Sequence, residues 1–317
     1  MKNKLTVFLV MLLVSLSGCS FSPPYIPDSQ PIESGRLPPP DKMVNIANLG
    51  PCTDSTDNSL RFNSNYPVTV LVHGCNGSAG RFRSLAQLYA FHGQQAVCYS
   101  YDGCDSLIDS SEQLIRALDS LASHVKNNDL TVIGHSMGGL IARKAMENER
   151  GSMWGQDDLN IKLVTVSAPL GGIEVSSPCG NGVLHWLTLG VVPLSCWVVT
   201  GDNWFEITPQ SDFIQSPGPL LPSVKQYLKV VTDESNTCRR TNAQGKCIED
   251  DFVFSLPEQY NSVVDVYSQL TNVEVKAGHV EIIGDKLVAP RKLLNILQQQ
   301  KMLAPTPPER QAALERL

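Results

Sequence analysis

The feature that most narrows what this chain can fold into is Gly134-His135-Ser136-Met137-Gly138-Gly139. The apolar run Leu130-Thr131-Val132-Ile133 leads into it, and the helix-like Leu140-Ile141-Ala142-Arg143-Lys144-Ala145-Met146 leads out. A backbone that turns from strand to helix in so few residues leaves no room for side chains beside the turn. Glycine at 134, 138 and 139 meets that need. Ser136 is then forced into a strained conformation at a helix N-terminus, where free amides and the helix dipole favour negative charge. A serine so placed is a candidate nucleophile.

A second segment supports this reading. The run Val68-Thr69-Val70-Leu71-Val72 enters His73-Gly74-Cys75-Asn76-Gly77-Ser78, about sixty residues before the serine. Later come Val166-Ser167-Ala168-Pro169-Leu170-Gly171-Gly172, Ile207-Thr208-Pro209-Gln210-Ser211-Asp212-Phe213-Ile214, Asp250-Asp251-Phe252-Val253 and Gly278-His279. Together these segments resemble the α/β-hydrolase lipases and esterases, in particular bacterial lipases and the lipase-like family related to GPI-inositol deacylases. The resemblance covers about residues 66–300. It implies an α/β-hydrolase fold, with a mostly parallel sheet, helices on both faces and a lid-like insertion. It also implies ester or acyl substrates. The chain departs from the pattern in a Cys-bearing insertion, Glu234–Glu249, and in Ser167 and Leu170, where Thr and His are more usual.

The remaining catalytic groups follow from chain order, which in this fold is Ser, then Asp or Glu, then His. Of six histidines only His185 and His279 lie after Ser136. The carboxylates available to His185, Asp157 and Asp158, precede the next strand and come too early. His279 follows a short strand and precedes the C-terminal helix, so it is the expected base. The acid should follow the strand near Gln226–Thr232; Asp233, Asp250 and Asp251 are the candidates, and the resemblance favours Asp250. The oxyanion donors expected are the backbone N–H groups of Met137 and Cys75. Two preorganised donors of this kind contribute roughly 3–4 kcal/mol each to acyl transfer. No cofactor is expected, and no cysteine has the spacing of a zinc ligand.

Strand-like and helix-like segments alternate through the chain. Strands are expected at 67–72, 95–101, 130–133, 161–166, 226–232 and 272–277. Helices are expected near 81–91, 111–126, 136–149, 259–270 and 286–300. This alternation implies a parallel sheet between helical layers. The segment 173–222 holds Trp186, Trp197, Trp204, Phe205 and Phe213. Such a cluster suits either a lid over an acyl-chain pocket or a fixed cap.

The N-terminus carries an export signal. Lys2 and Lys4 precede a short apolar core, Leu5–Leu16, and then Leu16-Ser17-Gly18-Cys19. This resembles a bacterial lipoprotein signal, residues 1–18, with acylation of Cys19. The expected partner is therefore a membrane, reached through Cys19, in the cell envelope and with Ser20 pointing to the outer membrane of a Gram-negative cell. A Pro-rich tether is expected over 19–45, the hydrolase domain over 46–302 and a flexible tail over 303–317. Eight further cysteines imply up to four disulfides, with Cys238–Cys247 and Cys179–Cys196 as local pairings. A chain of 317 residues, 42% apolar, can bury one large core. Its net charge of −6 gives no argument for nucleic acid. The expected activity is ester hydrolysis on lipids or acylated envelope molecules. An envelope acyltransferase and a non-catalytic scaffold are the alternatives; oligomeric state is left open.

Overall fold

The computed structural model describes residues 37–147, 159–180, 201–203 and 205–315. The expected export signal, Cys19, Trp186, Trp197, Trp204 and Cys196 lie outside the described residues. Eleven strands are described: β1 (Lys42–Val44), β2 (Leu49–Gly50), β3 (Leu60–Phe62), β4 (Val68–Val72), β5 (Gln95–Tyr99), β6 (Asp129–His135), β7 (Asn160–Val166), β8 (Val224–Asp233), β9 (Cys238–Thr241), β10 (Cys247–Asp250) and β11 (Leu270–Lys276). Seven of them form one sheet in the order β11-β8-β7-β6-β4-β5-β2. All neighbours in it run parallel except β2, which pairs antiparallel with β5 at one edge.

Period-two alternation decides which side chains face which helices. Val70 and Val72 of β4, Val132 of β6 and Leu163 of β7 point to one face. There they meet α2 (Leu107–Ala122) and α3 (Met137–Ala145). Leu71, Ile133, Val164, Val166, Leu228 and Val230 point to the other face. They meet α1 (Arg83–Phe91) and the C-terminal helix Arg291–Gln299. The α/β-hydrolase architecture expected from the motifs is therefore the one observed, with Ser136 at the tip of β6 in the middle of the sheet.

Several local expectations need correction. Only Leu256–Gln259 is α-helical where a helix was expected over 259–270. Pro257 fits its first turn, and the Ser255–Glu258 capping box defines its start. The chain then leaves the helix at Tyr260, whose backbone is extended. The N-terminal ribbon starts at Lys42, inside the stretch read as tether, because Lys42–Val44 pairs with Leu60–Phe62. The C-terminal segment is docked rather than loose. Leu303 is buried in the core, Ala304 N donates to Gln94 Oε1 at 2.9 Å, and Arg310 donates to the Phe91 carbonyl at 2.7 Å.

Cys238 and Cys247 are bonded to each other as the spacing suggested. Cys52–Cys98 was not anticipated; it ties the N-terminal segment to β5. Cys104 and Cys179 are also disulfide-bonded, whereas Cys75 is a free thiol, so the eight cysteines do not make four bridges. Cys52–Cys98 joins residues 46 apart and is buried at both ends. Closing a loop of that length restricts the unfolded chain by about 4 kcal/mol in the chain-entropy account. Replacing both cysteines by alanine should lower the unfolding free energy by roughly 2–4 kcal/mol. The urea midpoint measures this, and removal of the surface Cys238–Cys247 bridge should shift it less.

Candidate active site

Ser136 has φ 57° and ψ −131°, a conformation that non-glycine residues adopt only when the surroundings impose it. The surroundings are largely backbone. A Cβ on Gly134 would overlap the Gly138 carbonyl, and one on Gly138 would overlap the carbonyls of Val72 and His73. The Ser136 N–H still donates to Val166 O at 2.9 Å, so the sheet ladder runs to the very residue at which the chain turns. Met137 then opens α3, and the first amides of a helix have no acceptor within it.

The loop after β4 lies directly over this corner. A Cβ on Gly74 would stand 2.7 Å from Ser136 Cβ and 3.1 Å from its Oγ. Glycine is thus required for the loop to approach the serine so closely. The loop is folded by Gly77 N donating to Gly74 O at 3.1 Å, with Asn76 at φ 52°. His73 braces it from below. Its Nδ1–H donates to Gly74 O at 2.9 Å, its ring stacks on Tyr101 at 4.5 Å, and the Tyr101 hydroxyl donates to His73 O at 2.8 Å. Burial drives the His73 pKa down to about 4, so the ring stays neutral.

His279 sits at the tip of the sheet after β11. Its N–H donates to Asp251 O at 2.9 Å, and the Asp251 carboxylate accepts from Val280 N at 2.9 Å and Glu281 N at 3.0 Å. His135, next to Ser136 in the chain, donates Nε2–H to His279 O at 2.9 Å, and the two rings lie 4.7 Å apart. The imidazole is therefore tied to the serine corner through its own backbone. Phe254 meets the ring edge-on at 5.0 Å.

The carboxylate on this imidazole is Glu234. Its Oε1 accepts from His279 Nδ1 at 2.9 Å, which leaves the neutral ring's lone pair on Nε2. Oε1 also accepts from the Ser167 hydroxyl and lies 2.9 Å from that of Thr232, and Oε2 accepts from Val253 N at 2.6 Å and Phe254 N at 2.8 Å. Glu234 is only 1% exposed. Burial alone would raise its pKa, but the donors, His279 foremost, outweigh that and hold it below its ordinary value.

The three aspartates expected here are each employed elsewhere. Asp250 ends the exposed hairpin strand β10, and its Oδ1 accepts from Phe252 N at 3.2 Å, a turn-capping contact. Asp251 holds the backbone that follows His279, not its ring. Asp233 faces Ser235 and Lys276, which pull its pKa down to about 2. Strand parity explains the outcome. Leu228 and Val230 point to the face covered by α1 and the C-terminal helix, Thr232 continues that side, and Glu234 is the next residue in step. Asp233 is out of step and points to the surface. The Cys-bearing insertion hides this, because the segment that resembles the lipase pattern returns only after the hairpin. Among the described residues no group of three or more His, Cys, Asp or Glu could hold a metal ion.

Residues 64–195 match the serine aminopeptidase S33 family. No curated protein matches the chain. Among solved structures, the mature lipase BlEst2 of Bacillus licheniformis is 14% identical, with a TM-score of 0.50 over 82% of this chain and 98% of that one. The Pyrococcus furiosus esterase Pf2001 is 16% identical, with a TM-score of 0.50 over 90% of this chain and 98% of its own. At this identity the likeness concerns the fold.

Two measurements test the geometry. Glu234→Gln should lower kcat on an activated ester by roughly 10³- to 10⁴-fold, while Asp250→Ala stays within about 2-fold of wild type. Acid should also destabilise the fold through His73, which braces the loop after β4. The unfolded chain protonates His73 near 6.5 and the folded chain only near 4. Between these values the unfolded chain binds more protons, so stability falls as pH drops, by up to about 3 kcal/mol. Burial of His135 acts in the same direction. The urea midpoint should be lower at pH 5 than at pH 7, and the difference should shrink in His73→Asn.

Proposed function

We propose that this chain, which has the α/β-hydrolase fold, is a serine hydrolase of carboxylic esters, with Ser136, His279 and Glu234 as its catalytic triad. The observation that carries the reading is the pairing of a serine held at φ 57° with a buried His–Glu pair tied to the same corner. In this mechanism His279 Nε2 takes the Ser136 hydroxyl proton as Oγ attacks the acyl carbon. The proton then passes to the leaving alcohol, and water repeats the sequence to release the acid. Glu234 orients the imidazole and stabilises its charged form. The N–H groups of Met137 and Cys75 receive the negative charge that develops on the carbonyl oxygen.

The envelope lipids or acylated molecules suggested by the N-terminal signal are the substrates we favour, with lipidated Cys19 holding the enzyme at the membrane. The family match over residues 64–195 favours a second reading, an aminopeptidase that uses the same groups on an amide. Parallel assays on p-nitrophenyl esters and on aminoacyl p-nitroanilides separate the two. Ester turnover is expected to exceed amide turnover by at least about 10³-fold. Ser136→Ala should remove ester turnover and all labelling by a fluorophosphonate while the far-UV circular dichroism spectrum is retained. Full activity in that variant would end the proposal.

A further inference from the structure

Ser167 occupies the first position after β7, as Ser136 does after β6, the neighbouring strand. It too has a positive φ, 47°, and it is completely buried. Its hydroxyl oxygen stands 2.5 Å from Glu234 Oε1 and 2.9 Å from His279 Nδ1. Thr232 Oγ1 is 2.8 Å from Ser167 Oγ and 2.9 Å from Glu234 Oε1. Thr232 is itself held by Gln259, which accepts from Thr232 N at 2.9 Å and donates to Thr232 O at 2.8 Å.

Proton counting assigns the directions. An ionised carboxylate only accepts, so the Ser167 O–H donates to Glu234 Oε1. The His279 Nδ1–H points at Glu234 Oε1 with Ser167 Oγ as a flanking acceptor. The Thr232 hydroxyl has one hydrogen and three acceptors in reach, Ser167 Oγ at 2.8 Å, Glu234 Oε1 at 2.9 Å and Gln259 Oε1 at 3.2 Å; the nearest is Ser167 Oγ. Glutamate has one more side-chain torsion than aspartate, and here it springs from the residue immediately after β8. The backbone amides of Val253 and Phe254 fix one oxygen. The other would be free to turn away from the imidazole without Ser167 and Thr232.

We propose that Ser167 is a positioning residue of the catalytic unit, its hydroxyl holding Glu234 Oε1 on His279 Nδ1 through each proton transfer. This rests on the reading of Ser136, His279 and Glu234 as the triad. The strained backbone at Ser167 fits the role, because an extended φ would carry the hydroxyl off the carboxylate. Ionisable groups also face this cluster from other elements. His135 of β6 lies against the His279 ring, Asp251 holds the His279 loop, and Arg81 of the turn Ala79–Phe82 acts on His135.

The test is Ser167→Gly. Glycine adopts a positive φ without strain, so the substitution removes the hydroxyl and spares the backbone. The kcat on a p-nitrophenyl ester should fall about 10- to 100-fold with KM within about 2-fold. The acid limb of kcat/KM against pH should move up by roughly half to one unit, since one donor to Glu234 is lost. In a Glu234→Gln background the same change should lower kcat by no more than about 2-fold, because the residue acts through Glu234. Wild-type kcat and pH profile in Ser167→Gly, or a full additive loss beside Glu234→Gln, would overturn the proposal. Thr232→Val, nearly isosteric, gives the same readout should Ser167→Gly not fold; a smaller loss in the same direction is expected, and none would count against it. Failure of Ser136→Ala to abolish turnover would instead overturn the triad itself, so the two failures are distinct.

Discussion

The structure around the site depends on one buried carboxylate. A glutamate removed from water is costly unless donors surround it. Five donor groups stand within hydrogen-bond distance of Glu234, from four separate stretches of chain: Ser167 after β7, Thr232 at the end of β8, the backbone of Val253 and Phe254, and His279 after β11. Each of these stretches is therefore tied to the others through a single side chain. The loop that holds the imidazole, the strand tip beside the serine and the segment returning from the hairpin cannot shift independently.

The same end of the sheet stores strain at two places. Ser136 and Ser167 follow adjacent parallel strands, and both take a positive φ. Each is anchored by a backbone hydrogen bond to the next strand: Ser136 N to Val166 O and Ser167 N to Val230 O, both at 2.9 Å. The ladder thus continues through the residues that bend. Central parallel strands, buried on both faces, resist deformation better than an edge, which is where such strain can be kept. The edges are treated differently. The β2–β5 edge carries the Cys52–Cys98 bridge, and the insertion between Glu234 and Asp251 is an exposed hairpin closed by its own disulfide.

Three buried histidines at the strand tips differ in what their rings meet. His73 and His135 are enclosed and kept neutral, and each donates a ring N–H to a backbone carbonyl, so they act as braces. His279 alone of the three faces a carboxylate. The difference lies in surroundings and not in residue type, which is why a histidine count along the chain narrows the candidates only with the help of strand order.

What the amino-acid sequence determined by itself is the local frame. Glycine at 134, 138 and 74, apolar runs of strand length and helical periodicity between them dictate the corner, the loop over it and the parallel sheet, because these are constraints on backbone space and side-chain alternation among near neighbours. The place of His279 near the serine corner was legible through chain order. Tertiary structure decided which carboxylate meets it. Asp250 carries the familiar pattern yet caps a surface turn, while Glu234 is set inward by the parity of β8 and secured by donors from residues 167, 232, 253 and 254. That choice depends on the side to which a strand end points and on groups distant in the chain, and neither is written in the residues next to the acid. The pairing of Cys52 with Cys98 and the free thiol at Cys75 were settled in the same way, by distances that exist only once the strands have assembled.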